Sequence, residues 1–291
     1  MNAMDTFPVV LCLSGFDPSG GAGIGADIEA LSSQGCQACG AITAMTVQNS
    51  RDVISVHPVD PNVIIQQARA VLEDMPVAVI KIGLVGSVEV AAAIHSVLSD
   101  YPDIPVVLDP VLASGGSGRA LADDGLVEAI LNLLVPQATL ITPNLREAHT
   151  LIAGADTRQA AAIGLMEAGA QSVLLTGGDE PGDDVLNTLF AEQRWVRDYH
   201  WPRLPHQYHG SGCTLAASAA GLIAHGILLE EAVEGAQEYT WNALYNAVRL
   251  GMGQHQPDRF FWTLDATEED IEDNDDNASL SHGGHGNTTL Q

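Results

Sequence analysis

The sequence predicts one α/β domain built on a mostly parallel sheet. Two observations carry that prediction. Short runs rich in β-branched and apolar residues alternate with longer Ala-rich segments of helical period, and each run is followed by a turn or a glycine-rich element. A third sets the scale: at 291 residues and 46% hydrophobic composition, the chain can bury a core on both faces of a sheet and offset its ordering entropy.

In chain order, the first strand is the apolar run from Val9 to Ser14. It opens into Ser14-Gly15-Phe16-Asp17-Pro18-Ser19-Gly20-Gly21-Ala22-Gly23, a glycine-dense loop leading into a helix, Gly23 to Ser33, that carries Asp27. Glycines let a backbone approach a ligand closely, though a tight turn between strand and helix gives the same letters. The loop does not fit GxxxxGK[ST] and no lysine lies near it, which excludes a Walker-type phosphate loop here. The second strand, Ala41 to Val47, ends on Gln48-Asn49; Val53 to Val59 reads as an additional strand and Asn62 to Glu73 as a crossover helix. The third, Val77 to Ile82, ends on Lys81-Ile82-Gly83-Leu84. Lys81 is the chain's only lysine, and its place at a strand end predicts a role in shaping a site.

After a helix from Val88 to Leu98, the strand Pro105 to Val111 carries Leu108-Asp109-Pro110-Val111. Ala113-Ser114-Gly115-Gly116-Ser117-Gly118 follows, a run suited to a flap that excludes water on closure. A helix from Gly125 to Leu134 and a strand from Thr139 to Thr142 lead to Thr142-Pro143-Asn144-Leu145-Arg146-Glu147. Asn144 and Glu147, three apart at a helix start, can present oxygen ligands to magnesium; a helix cap with an acidic first turn explains the same pair. Next come a helix from Arg158 to Ala168, a strand from Ser172 to Thr176, and an antiparallel pair, Val185 to Phe190 with Trp195 to Trp201. The last helices are Cys213 to His225 and Glu230 to Arg249.

Ligands of an open parallel sheet gather at the carboxyl ends of its strands, so these strand-end residues are the first site candidates. Alongside them stands His209-Gly210-Ser211-Gly212-Cys213-Thr214, just before an apolar helix. Consecutive N–H groups at a helix start, unobstructed at Gly210 and Gly212, make a pocket for a phosphoryl anion. The same partial positive charge is expected to lower the pKa of Cys213 and give a proton-accepting thiolate; the alternative is a buried cysteine at a helix cap.

Composition narrows the function classes. A net charge of -26 with 11 Lys+Arg excludes long-range attraction to nucleic acid or an anionic membrane surface, so any phosphate site must be local. Four scattered cysteines do not make a disulfide scaffold, and the Cys36-x-x-Cys39 pair has no second half to complete a metal site. The start of the chain lacks the regions of a signal peptide and no apolar run reaches the ~18 residues of a membrane span, which predicts a cytoplasmic protein. Carboxylates crowd the stretch after residue 265, so a folded domain is expected over 1–262 and a solvated acidic tail over 263–291. His282 and His285 in that tail can meet a metal adventitiously or simply belong to a disordered end.

Taken in order, Ser14–Gly23, Thr46-Val-Gln-Asn49, Lys81–Leu84, Leu108–Val111, Thr142–Glu147, Thr176-Gly-Gly178 and His209–Thr214 resemble the hydroxymethylpyrimidine/phosphomethylpyrimidine kinases of thiamin biosynthesis, over roughly residues 8 to 250. The resemblance implies a ribokinase-like three-layer α/β/α sandwich. It implies an enzyme that moves the γ-phosphoryl of ATP, with Mg2+, onto the hydroxymethyl group of 4-amino-5-hydroxymethyl-2-methylpyrimidine and, as such enzymes often do, onto the monophosphate. It further implies that Asp27 and Gln48 bond the aminopyrimidine in a pocket shaped by Gly15, Leu84 and Val111. Asp109 and Glu147 would hold magnesium; Asn144, Thr176 and Gly178 would border the nucleotide. Gly210, Ser211 and Gly212 would form the anion hole beside Cys213 as base, where the wider class has Asp. A homodimer is implied as well. Three positions depart from the family: many relatives carry Lys at Thr176, His at Asp179 and Met at Leu84. A pyridoxal or pyridoxine kinase, sharing the fold class, and a non-catalytic pyrimidine-binding protein, motivated by Thr176, are the alternative functions.

Overall fold

The structure is a computed structural model that describes residues 7–263. The chain divides into units of residues 1–259 and 260–291, and everything below concerns the first. The acidic tail expected over 263–291 lies, but for its first residue, outside the described residues.

One nine-stranded sheet runs through the molecule, in the order β3-β2-β1-β4-β5-β6-β7-β8-β9. Its strands are β1 (Val9–Phe16), β2 (Gln37–Gln48), β3 (Val53–Pro58), β4 (Val77–Ile82), β5 (Val106–Leu108), β6 (Leu140–Ile141), β7 (Ser172–Leu175), β8 (Asp184–Ala191) and β9 (Arg194–Pro202). From β2 to β7 all neighbours are parallel; β3 and the β8–β9 hairpin pair antiparallel at the two edges. Central strands are covered on both faces, which is why β1 reads as an unbroken apolar run, buried from Val9 through Gly15.

Two helical layers flank the sheet. On one side lie α2 (Pro61–Asp74), α3 (Val88–Asp100), α4 (Asp124–Ala129), α5 (Leu145–Leu151) and α6 (Arg158–Glu167), whose apolar faces meet Leu11, Leu13, Ile80, Ile82 and Leu108 in one core. On the other side α1 (Gly23–Ser33), α7 (Ser211–Ala224) and α8 (Leu229–Tyr245) pack on one another, with α7 against β4 and β5. Alanines and glycines along α7, from Ala216 to Gly221, are what lets this helix lie close to both sheet and neighbours. The three-layer sandwich expected from the sequence is therefore present.

Local chemistry sets several boundaries. Asp60, Ser87, Asp123, Asn144 and Thr157 each cap the helix that follows by accepting from a backbone N–H. The helix expected over 125–134 is instead α4 followed by a π turn, Ile130–Leu134, and a 3-10 turn, Val135–Gln137. Pro136, which lacks an N–H, falls where the regular helix has already been lost. The strand order reverses at β1, flanked by β2 on one side and β4 on the other, and the crevice beyond the strand ends there is where such sheets bind ligands.

Candidate active site

A cleft of about 700 Å³ opens at the carboxyl ends of the parallel strands. It is lined by every predicted site residue except Asp27: Gly15, Gln48, Leu84 and Val111 at one end; Asp109, Glu147 and the Gly210–Cys213 segment in the middle; and Asn144, Thr176 and Gly178 toward the other end. Residues more than 190 positions apart meet here because β1, β2, β4, β5, β6 and β7 all deliver their following loops to the same edge.

The glycine cradle begins α7. Gly210, the N-cap, has φ 81°, and a Cβ there would collide with the carbonyl of Gly21, so only glycine fits. No side chain caps this helix, leaving its first N–H groups to face a ligand. The neighbouring loop is held by Asp17, which sequence reading passed over. Its carboxylate accepts from Ser19 N–H at 2.8 Å, Ser19 Oγ at 2.7 Å, Ala22 N–H at 2.9 Å and His209 Nε2 at 2.7 Å, tying the loop after β1 to the cradle. Burial alone would raise the Asp17 carboxyl; hydrogen bonds from His209 and Ser19 outweigh it and hold it below the usual carboxylate range.

Beneath the cradle lies a buried charge cluster. Lys81 is fully buried and donates to Asp27 at 2.8 Å and to Ser14 Oγ at 3.3 Å, while Ser14 Oγ donates to the second Asp27 oxygen at 2.6 Å. The expectation that Asp27 bonds the substrate is corrected by this geometry: both of its oxygens are taken and the side chain has no exposed surface. Burial pulls the Lys81 ammonium down, but the carboxylate of Asp27 above all, with Asp109, outweighs it, so Lys81 stays protonated. Burial pushes the Asp109 carboxyl up to about 6, against the pull of Lys81. Glu147 is pushed up to about 8 by burial and by Asp109.

Cys213 brings a second correction. Its thiol is raised to about 12, first by burial and then by Asp109 and Asp27, which together outweigh Lys81 and the N–H of Gly23. The helix start therefore does not by itself yield a thiolate; the resting thiol is protonated.

Asn144 and Glu147 form a reciprocal capping box: Asn144 accepts from Glu147 N–H at 2.9 Å and Glu147 Oε2 from Asn144 N–H at 3.0 Å. Capping thus explains the pair locally, and it also fixes Glu147 toward the cleft, where its other oxygen accepts from Leu112 N–H at 3.3 Å. Asp109 Oδ2 is buried with no hydrogen-bond partner. An orphaned carboxylate oxygen with a second carboxylate close by suits a hard cation that keeps waters and phosphate oxygens in its shell, although among the described residues no group of three acidic, His or Cys side chains surrounds one point.

At the end of the cleft nearest Asn144, Thr176 is anchored through its N–H to Pro143 O at 2.9 Å. The guanidinium on this side of the cleft is Arg203, unmarked in the sequence, which donates to the carbonyls of Gly178 at 2.9 Å, Glu180 and Gly182 at 2.6 Å, and Asp184 at 3.3 Å. Beyond it, Trp201, Leu204, Trp241 and Leu244 give the cleft a flat apolar end.

Comparison with known proteins gives the following. The family model described as phosphomethylpyrimidine kinase matches residues 17–258. The chain is 38% identical to the thiamine biosynthesis bifunctional protein ThiED of Geobacter sulfurreducens, over 85% of this chain and 51% of that protein, so it spans about half the length of this relative. It is 38% identical to the hydroxymethylpyrimidine/phosphomethylpyrimidine kinase of Rhizobium meliloti, over 84% of this chain and 94% of the relative. Among solved structures, an ADP complex of Bacillus subtilis pyridoxal kinase superposes with a TM-score of 0.79 at 26% identity, covering 89% of this chain and 100% of the other. The phosphomethylpyrimidine kinase of Clostridium difficile gives 0.69 at 31% identity, covering 81% and 98%.

Proposed function

The chain belongs to the phosphomethylpyrimidine kinase family, and from that premise we propose that it transfers the γ-phosphoryl group of ATP to the hydroxymethyl group of 4-amino-5-hydroxymethyl-2-methylpyrimidine, and then to the monophosphate, in thiamin biosynthesis. The observation that carries this reading is the convergence, in one cleft, of the glycine cradle, Cys213, the carboxylates Asp109 and Glu147, and the pocket of Gln48, Gly15, Leu84 and Val111.

In this reading the flat ring lies against Leu84 and Val111, and Gln48 exchanges hydrogen bonds with its amino face. A Cβ at Gly15 would press on the Leu84 side chain, so glycine there leaves Leu84 its place in the pocket. The transferring phosphoryl group sits over the N–H groups of Gly210, Ser211 and Gly212, which stabilise charge on its oxygens without reorganising. Magnesium, when bound, would be held by Asp109 and Glu147 and would supply positive charge against the phosphates. Lys81 is the largest charge acting to lower the Cys213 pKa, and in this reading Cys213 beside it accepts the hydroxyl proton. Asn144, Thr176 and Gly178 border the polyphosphate, and Arg203 shapes the loop that a lysine at 176 would otherwise serve. ATP as donor is supported by the ADP and AMP-PCP complexes of the Staphylococcus aureus pyridoxal kinase neighbours.

A homodimer completes the proposal. Met45, Val47 and Ile54, large apolar side chains exposed on adjoining β2 and β3, supply a surface for a second copy, and light scattering of the purified chain tests it. Among the described residues no helix is long and apolar enough to cross a membrane; a cytoplasmic location is part of the proposal.

The structural neighbours favour one second reading, pyridoxal phosphorylation. Steady-state ADP formation with each acceptor separates the two. The proposal expects kcat/KM for the pyrimidine alcohol to exceed that for pyridoxal by about tenfold or more, a margin of about 1.4 kcal/mol; the reverse order would replace it.

A further inference from the structure

Four consecutive residues near the end of the domain, 253–256, touch four separate loops of the cleft. Gln254, nearly buried at 7% exposure, donates its backbone N–H to Ser50 O at 2.8 Å in the turn between β2 and β3. Its side-chain amide donates to Gly115 O at 3.3 Å in the flap and to Tyr208 O at 3.2 Å, two residues before the cradle. His255 donates to Gln207 O and accepts from His209 N–H, both at 2.9 Å, and Gln256 Nε2 donates to Ser19 O at 3.1 Å in the loop after β1. Gly253 leaves no room for a Cβ against the carbonyl of Ser50, so the approach is as close as a backbone allows. The flap has a second anchor, Asp52, which accepts from Ser114 Oγ at 2.9 Å and Ser117 Oγ at 2.8 Å.

A buried amide shared between carbonyls of two loops fixes their separation, because one donor group serves both and its loss unties them. Phosphoryl transfer depends mainly on positioning and on keeping water from the phosphoryl group. We infer that Gln254 is a positioning residue for the transfer, holding the flap at Gly115 and the cradle loop at Tyr208 as one unit that closes on the acceptor and keeps water out. The inference rests on the phosphoryl-transfer reading above and adds to it a residue in the wall of the cleft that acts by holding two of its loops together.

The test compares the native chain with Gln254→Glu, which keeps the size and loses the donor, and with Gln254→Met, which loses the donor without adding charge. ADP and phosphorylated pyrimidine are measured separately, with ATP, magnesium and the pyrimidine alcohol present. In both variants kcat for transfer is expected to fall about tenfold or more, KM for ATP to stay within about twofold, and ADP to form in excess over phosphorylated pyrimidine. Variants that melt like the native chain and keep one ADP per product at unchanged kcat would overturn the inference. Should the variants fail to fold, or the native chain transfer nothing to the pyrimidine, amide hydrogen exchange of the native chain decides whether the loops form one unit. The amides of Gln254, His255 and His209 are then expected to open in a single step, and rates scattered over more than about tenfold would sink it.

Discussion

Cys213 shows how far a single residue's chemistry depends on what surrounds it. A helix start favours a thiolate, yet burial and two carboxylates push the thiol up to about 12, and only Lys81 and the N–H of Gly23 act the other way. Replacing it, Cys213→Ala, is expected to lower kcat by about 10²-fold or more, the scale of a lost general base, with pyrimidine affinity by calorimetry nearly unchanged; normal turnover would remove its assigned role. Asp17 belongs to the same scale. Its folded pKa lies below the ordinary value, so its stabilising contribution is complete above the unfolded pKa of about 3.9 and is lost as pH falls through the folded one. Urea unfolding of Asp17→Asn should therefore show a shallower decline of stability on the acid side than the native chain shows, while an identical slope would mean that the His209 and Ser19 hydrogen bonds carry no such linkage.

At the scale of elements, the fold's logic is that β1 and β4 lay a charged floor beneath the cradle. Lys81 of β4 reaches Asp27 of α1 with neither side chain exposed, and breaking one half of a buried pair leaves the other uncompensated. Lys81→Met is thus expected to lower stability by about 3–5 kcal/mol in denaturant titrations, with much of the loss recovered in Lys81→Met/Asp27→Leu. Near-native stability of the single variant would show that the pair is dispensable. The loop between β7 and β8 depends on Arg203, whose three nitrogens bond four of its carbonyls; Arg203→Ala should raise KM for ATP by about tenfold and leave KM for the pyrimidine alone, and an equal rise in both would point to general loosening instead. Much of this was legible beforehand. The spans Gly23–Ser33 and Val77–Ile82 agree to the residue, because a glycine-bounded helical period and a β-branched run are local signals. The π turn after α4 was not, since it answers to packing, not to period. Strand-end motifs marked the site because parallel topology sends those ends to one edge. Asp17, Arg203 and Gln254 were missed because their importance lies in which groups of other loops they reach, 19 residues away for Arg203 and Asp184 and 192 for Asp17 and His209, and no spacing in the sequence encodes such partners.

For the molecule as a whole, acidity and function have to be reconciled. A chain with net charge -26 binds a polyphosphate only if its own field is countered locally, and the proposed function assigns that to the helix N–H groups, the buried lysine and a divalent cation on Asp109 and Glu147. Fold alone does not choose the acceptor, since pyridoxal kinases superpose on it well; under the proposed function the choice falls to the pocket of Gln48, Leu84 and Val111. The central claim is that this pocket and the Gly210–Gly212 cradle act on one acceptor in one cleft. Mass spectrometry of the products formed from the pyrimidine alcohol, ATP and magnesium tests it most directly. The account predicts the mono- and then the diphosphate of the pyrimidine, both abolished with ATP omitted and strongly reduced in Cys213→Ala; unaltered pyrimidine beside intact ATP would contradict it.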